Sequence, residues 1–158
     1  MKILVSQQKR GLGISPARLR RLAVWLAAQA GMQPFSSLEI LLTDDAGIVA
    51  ANRAVFGRDY VTDVISLAYP PLPGEAAGVG ELILNVALAA REGARRARGP
   101  DHELALYLAH GCDHLAGADD ATPQQRAAMR RRELAWLRTA AQRGLIGGLF
   151  PGCGKASR

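Results

Sequence analysis

The alternation of apolar and polar residues divides the chain into short β-type runs and longer helical ones. Lys2 to Gln7, "KILVSQ", reads as a first strand. "SPARLRRLAVWLAAQAG" follows as a helix, with Ser15 at the N-cap, Pro16 at the first helical position, apolar residues at helical spacing and Gly31 as the stop. "SSLEILLTD" is β-rich, and "DDAGIVAANRAVFG" is a second helix that Asp44 caps and Gly57 ends. "VTDVISLAY" and "VGELILNV" are two more strands, joined by the Pro/Gly loop "PPLPGEAAG" and predicted to be a hairpin or neighbouring pair.

From Val86 the helical period returns in "ALAAREGARRARG", breaks at Gly99 and Pro100, and resumes in "DHELALYLAHGCDHLAG" and "PQQRAAMRRRELAWLRTAAQRG". The pattern predicts an α/β (α+β) fold, a small mixed sheet of about four strands packed with about five helices. No internal repeat or linker divides it. A single domain over residues 1–146 is expected, with a flexible glycine-rich tail over 147–158.

Composition adds compartment and partner class. No apolar run approaches the roughly 20 residues that span a bilayer. Cys112 and Cys153 form no CxxC pair and are too few for a disulfide framework, so a cytoplasmic, reduced protein is expected. The net charge is +6; of 20 basic residues 3 are lysines, leaving 17 arginines, a balance that suits a polyanion or reflects genomic base composition.

The candidate chemistry lies in "HGCDHLAGADD", His110 to Asp120. His110 and His114, four apart on a helix, point the same way and can grip one ion. Gly117 is placed to end the helix in a left-handed turn that returns Asp119 or Asp120 as a third ligand. Two imidazoles and a carboxylate suit Zn²⁺ with a fourth position open for chemistry. The spacing also matches the zinc-protease pattern HExxHxxGxxH with Asp in the last place, but Gly111 stands where the glutamate base would be, which disfavours peptide hydrolysis. Gly111 is expected to leave room beside the metal for an RNA backbone. Cys112 reads as a packed thiol, and His102, eight residues before His110, as a solvent or capping residue.

Three segments, in order, carry a resemblance. "HGCDHLAGADD" resembles the signature HGxLHLxGYDH of the YbeY-type single-strand-specific endoribonucleases, the ribosomal RNA maturation factors. "NRAVFGRDYVTDVISLAYP" resembles their N-x5-R-x-x-x-TDVLSFP segment, and "VGELILN" their GDI strand. The resemblance implies a metal-binding helix lining a cleft, His110, His114 and Asp120 as zinc ligands, Asp119 orienting a histidine through its other ring nitrogen, and Arg58 as the functional arginine. It implies single-stranded ribosomal RNA as substrate, with ribosomal proteins or a ribosome-associated GTPase as partners, and neither DNA nor membrane. The chain departs from the signature at Asp120, a histidine in the family, and at Asp113 and Ala118, its leucine and tyrosine.

The Asp120 replacement makes an N₂O site with added negative charge, open to another divalent metal; the contrary reading is a structural or degenerate site on a non-catalytic RNA- or ribosome-binding factor. Arg58 is readable as a phosphate fork or as a surface arginine paired with Asp59 or Glu81. Arg53 invites the same question, and Arg91, Arg95 and Arg98 share a helical face that can track a phosphate backbone or simply face solvent. Trp25 and Trp136 sit in amphipathic helices as core residues, so binding should rest on backbone charge rather than base stacking.

Overall fold

The computed structural model describes residues 1–32 and 35–153. Its elements run β1 (Lys2–Gln7), α1 (Pro16–Ala30), β2 (Phe35–Thr43), α2 (Asp45–Phe56), β3 (Val64–Tyr69), β4 (Gly78–Asn85), α3 (Val86–Arg95), α4 (Gly99–Leu115) and α5 (Pro123–Gln142). The four strands form one mixed sheet in the order β1-β2-β4-β3; β1, β2 and β4 are parallel, and β3 returns antiparallel to β4. The expected α/β architecture is therefore the observed one.

Strand alternation sends side chains to two unequal cores. Leu38, Ile40 and Leu42 of β2 and Leu82 and Leu84 of β4 face the larger, built with α1, α4 and α5. Ile83 and Ile65 face the smaller, closed by Ile48 of α2. Helix α4 lies in the larger layer and is buried on most of its surface, from Leu104 through Ala109 and at Cys112 and Leu115. An apolar sheet face and the neighbouring helices thus fix the orientation of the one element that carries both candidate histidines.

The caps sit where the sequence puts them. The Ser15 and Asp44 side chains accept from Arg18 N and Gly47 N, and Thr122 and Gln125 form a reciprocal capping box that starts α5. Pro100 does not interrupt a helix; it occupies the first turn of α4, where its missing N–H costs nothing.

The chain beyond α5 departs from expectation as far as Phe150. Leu149 and Phe150 are buried, the Asp101 carboxylate accepts from Gly148 N at 2.8 Å and Phe150 N at 2.7 Å, and Ser15 N donates to Leu149 O. Two buried apolar side chains and a half-buried carboxylate cap dock what composition alone marks as a frayed tail; residues 154–158 lie outside the described residues. Among the described residues no helix is long and apolar enough to cross a membrane.

Candidate metal centre

His110 and His114 leave α4 on the same side, with their Nε2 atoms 3.2 Å apart. Gly117 adopts φ +101°, a conformation costly for any residue with a Cβ, and turns the chain back on the helix end. In that turn Gly117 N donates to His114 O and Ala118 N to Asp113 O. Asp120 then returns so that its Oδ2 lies 3.5 Å from His114 Nε2 and 3.9 Å from His110 Nε2. Arg126 of α5 holds the returning loop by donating to the carbonyls of Asp120 and Ala121.

The far side of each ring sets which nitrogen carries the proton. His110 Nδ1 donates to Glu133 Oε1 at 2.7 Å, and His114 Nδ1 donates to the Ala118 carbonyl at 3.1 Å. With both Nδ1 protonated, both Nε2 lone pairs face each other and the Asp120 carboxylate. Three lone pairs converging over 3.2–3.9 Å repel unless a cation lies between them. A tetrahedral ion with bonds of about 2.0–2.1 Å separates its ligands by about 3.3 Å, so this donor set fits Zn²⁺. Burial disfavours charge on His110, but the Glu133 hydrogen bond and charge, helped by Asp63 and Asp120, outweigh it and hold the ring above its ordinary pKa.

Two clefts meet at these ligands. One of about 500 Å³ is lined by Arg58, Phe56, Ser66, His110, His114 and Asp120. The other, of about 460 Å³, is lined by Asp63, His110, Asp120, Arg126, Arg130 and Glu133. Arg58 reaches the first through a loop tied to α2. Gly57 caps α2 at φ +64°, Arg58 N donates to Asn52 O, and the buried Asn52 side chain donates to Tyr60 O at 3.0 Å. The Arg58 guanidinium lies 5.5 Å from the Phe56 ring centroid and donates to the Tyr60 hydroxyl at 3.3 Å, leaving it exposed on the cleft shared with His110, His114 and Asp120, with no carboxylate attached among the described residues.

A family model described as Endoribonuclease YbeY matches residues 5–141. The chain belongs to the YbeY endoribonuclease family. A YbeY endoribonuclease of an Anaeromyxobacter species (strain Fw109-5) is 34% identical over 144 residues, covering 91% of this chain and 72% of that protein. The Rhodopirellula baltica YbeY endoribonuclease is 37% identical over 125 residues, 76% of this chain but only 61% of the relative, so this chain spans less than two thirds of that longer protein. The solution structure of TM1509 from Thermotoga maritima superposes with a TM-score of 0.60 over 99% of both chains at 17% identity, a likeness of fold.

Within this chain the predicted residues part company. His110, His114, Asp120 and Arg58 come together around one cleft. Arg53 instead pairs with Asp59, Arg91 grips Asp45 through both terminal nitrogens at 3.0 and 3.3 Å, and Arg95 pairs with Glu92. Arg98 lies beside His102, its Nη1 3.2 Å from the ring Nε2. Asp119 touches neither histidine; its Oδ1 accepts from Asp120 N at 2.8 Å, and the expected orienting role belongs to Glu133 and Ala118.

Gly111 is also corrected. It faces the sheet rather than the metal, where a Cβ would stand 2.7 Å from Leu82 Cδ2 and 3.2 Å from Val64 Cγ2, so its smallness lets α4 approach the strands. Cys112 is fully buried, which raises its thiol to about 12 and makes it the packed, unreactive group expected. Trp25 and Trp136 pack against the core, but Phe56, 48% exposed on the wall of the cleft, is an aromatic face the sequence reading passed over. Glu133 and Asp63 were missed as well. The only signal for Asp63 was its place in the "TDV" segment, and none marked Glu133, which acts 23 residues from its histidine.

Proposed function

We propose that this chain is a zinc-dependent endoribonuclease that cleaves single-stranded RNA and acts in the cytoplasm on ribosomal RNA, in processing and ribosome quality control. The observation that carries the reading is a convergent His110–His114–Asp120 donor set sharing a 500 Å³ cleft with the exposed guanidinium of Arg58. His110, His114 and Asp120 would hold the ion. Bound there, it supplies a Lewis acid and lowers the pKa of water at the open position. Glu133 and the Ala118 carbonyl keep both imidazoles in the ligating tautomer and orientation.

Arg58 contributes what phosphodiester cleavage needs beside the ion, a planar fork of donors for phosphoryl oxygens whose charge grows in the transition state. Its stacking over Phe56 pre-orients it, and the exposed Phe56 ring also offers a surface for an unpaired base, which a duplex would keep stacked inside. Family membership supports the RNA substrate; the ribosomal setting, with ribosomal proteins or a ribosome-associated GTPase as partners, is what the resemblance of the signature segments implies.

Purified protein incubated with single-stranded RNA tests this. Cleavage should stop with chelator and return with zinc, and Arg58→Ala should lower kcat/KM by about 10²-fold, as loss of one transition-state donor does elsewhere. Cleavage that ignores chelator and proceeds unchanged in Arg58→Ala would contradict the proposal. RNA binding without metal-dependent cleavage would instead favour a non-catalytic maturation factor.

A further inference from the structure

The face of α4 that carries the metal ligands continues past them. His102, Leu106, His110 and His114 are spaced four residues apart, so they lie along one stripe of the helix. Leu106 and Arg130 line the cleft at the triad and also a neighbouring depression bounded by Arg96, Arg98 and His102. Asp63, His110 and Asp120 are likewise shared with the cleft that holds Arg58. The three depressions therefore form one channel floored by α4, walled on one side by α5, and open to basic groups at both ends.

Charge along the arm away from Arg58 is unevenly used. Glu103 is buried and accepts from Arg96 Nη1 at 2.9 and 3.1 Å, Glu92 is taken by Arg95 and Arg96, and Glu133 by His110. The Asp63 side chain accepts from Val64 N and Thr62 Oγ1. Among the described residues no carboxylate pairs with Arg98 or Arg130. Two guanidinium groups without a carboxylate partner thus face the channel, Arg98 with one nitrogen on His102, while Glu92, Glu103 and Glu133 are already taken.

On the reading of this chain as an endoribonuclease, we propose that Arg98 and Arg130 form a second phosphate-binding subsite, which holds the RNA strand on the side of the metal opposite Arg58. His102 lies eight residues from His110, about 12 Å along the helix axis. At the roughly 3.4 Å per nucleotide of a stacked strand, that distance is about three nucleotides. Arg98 sits against His102 at that distance, whereas Arg130 already lines the cleft at the triad, so a strand that extends about three nucleotides past the scissile bond meets both arginines and a shorter RNA meets Arg130 alone. The ligand is backbone phosphate, so the contacts are independent of sequence and sensitive to salt.

Equilibrium binding of zinc-loaded protein to a labelled single-stranded RNA with cleavage-resistant phosphorothioate linkages tests the subsite. Wild type is compared with the Arg98→Ala/Arg130→Ala double variant, with circular dichroism confirming that both are folded. Two lost phosphate contacts should flatten the slope of log affinity against log salt by about 1.4. Arg130→Lys, which keeps the charge, should retain the Arg130 contribution, and Arg20→Ala on α1 should change nothing. An RNA too short to reach Arg98 should lose the Arg130 contact alone, a change of about 0.7 in slope. An unchanged slope in a folded double variant, or an equal effect on short and long RNA, would overturn the subsite. Cleavage assays on the same preparations separate the two claims: zinc-dependent cleavage with an unchanged slope removes the subsite alone, and absence of cleavage removes the endoribonuclease reading.

Discussion

Glu133, buried on α5, accepts a hydrogen bond of 2.7 Å from His110 Nδ1, so that the second helix determines which nitrogen of the first presents its lone pair to the cleft. This is the relationship on which the site most depends without showing a ligand atom to the ion. Partners of this kind are worth about 10–100-fold in metal affinity. Glu133→Ala should weaken zinc binding by that range in a competition titration against a chromophoric chelator. Glu133→Gln, which can still accept from Nδ1 but lacks the charge, should fall in between. Equal affinity in all three proteins would show that the pair is structural only.

At the signature's leucine position this chain carries Asp113, nearly fully buried, and it compensates with Arg132. The guanidinium grips the carboxylate through Nε at 3.1 Å to both oxygens and through Nη2 at 2.7 Å, while lying over Trp136. Removing the arginine strands a charge in the core. A fully buried pair loses about 3–5 kcal/mol on such a change. Arg132 is 41% exposed, which screens the interaction, so Arg132→Ala should cost roughly 2 kcal/mol. Asp113→Leu, which removes the buried charge and restores the apolar residue, should be nearly neutral. Urea denaturation checks both; an Asp113→Leu as damaging as Arg132→Ala would contradict this reading of the pair.

Gly111→Ala separates the two roles considered for that glycine. An added Cβ would crowd Leu82, itself fully buried, and Val64. Overpacking of this kind costs about 1–3 kcal/mol. Better helix propensity returns up to about 1 kcal/mol. The expected result is a lower thermal midpoint with metal stoichiometry intact. An unchanged midpoint together with impaired RNA cleavage would restore the reading in which Gly111 clears space for substrate.

Much of the site was legible because it is local. A spacing of four residues on a helix fixes the side on which two histidines emerge, and a following glycine with acids three residues later fixes the return of the chain, so His110, His114 and Asp120 needed no tertiary information. The direction of Gly111 was equally available from helix phase, about 100° away from His110, but a glycine between metal ligands invites a functional reading before a packing one. Glu133 and the Arg91–Asp45 pair were not legible, since their partners lie 23 and 46 residues away and meet only once the elements have packed. The docking of Leu149 and Phe150 was hidden in the same way, because the carboxylate that caps their backbone sits at the start of α4. The fold itself followed from periodicity, and the β3–β4 neighbourhood from the Pro/Gly loop that joins the two strands; the parallel pairing of β4 with β2 did not, because no local signal records it.

His102 supplies a pH dependence separate from the metal. Burial first, then the positive charge of Arg98, holds its pKa below the ordinary value; Arg130 adds to the effect and Glu103 opposes it. An unfolded histidine titrates near pH 6.5, so below that pH the unfolded chain binds a proton that the folded ring refuses. The stability contributed by neutral His102 is therefore complete above about pH 6.5 and is lost as the pH falls through the depressed folded value. Between about pH 7 and pH 5 the wild type should lose more stability than His102→Gln. Denaturation curves at the two pH values measure the difference, and parallel losses in both proteins would contradict the assignment.

On the proposed function, Asp120 completes a metal site where the family signature has histidine. Crystals grown with zinc and measured on both sides of its absorption edge test it most directly. A single anomalous peak is expected about 2.0–2.1 Å from His110 Nε2, His114 Nε2 and an Asp120 carboxylate oxygen. No peak at that position, or an ion held by the two histidines with the Asp120 carboxylate turned away, would contradict it.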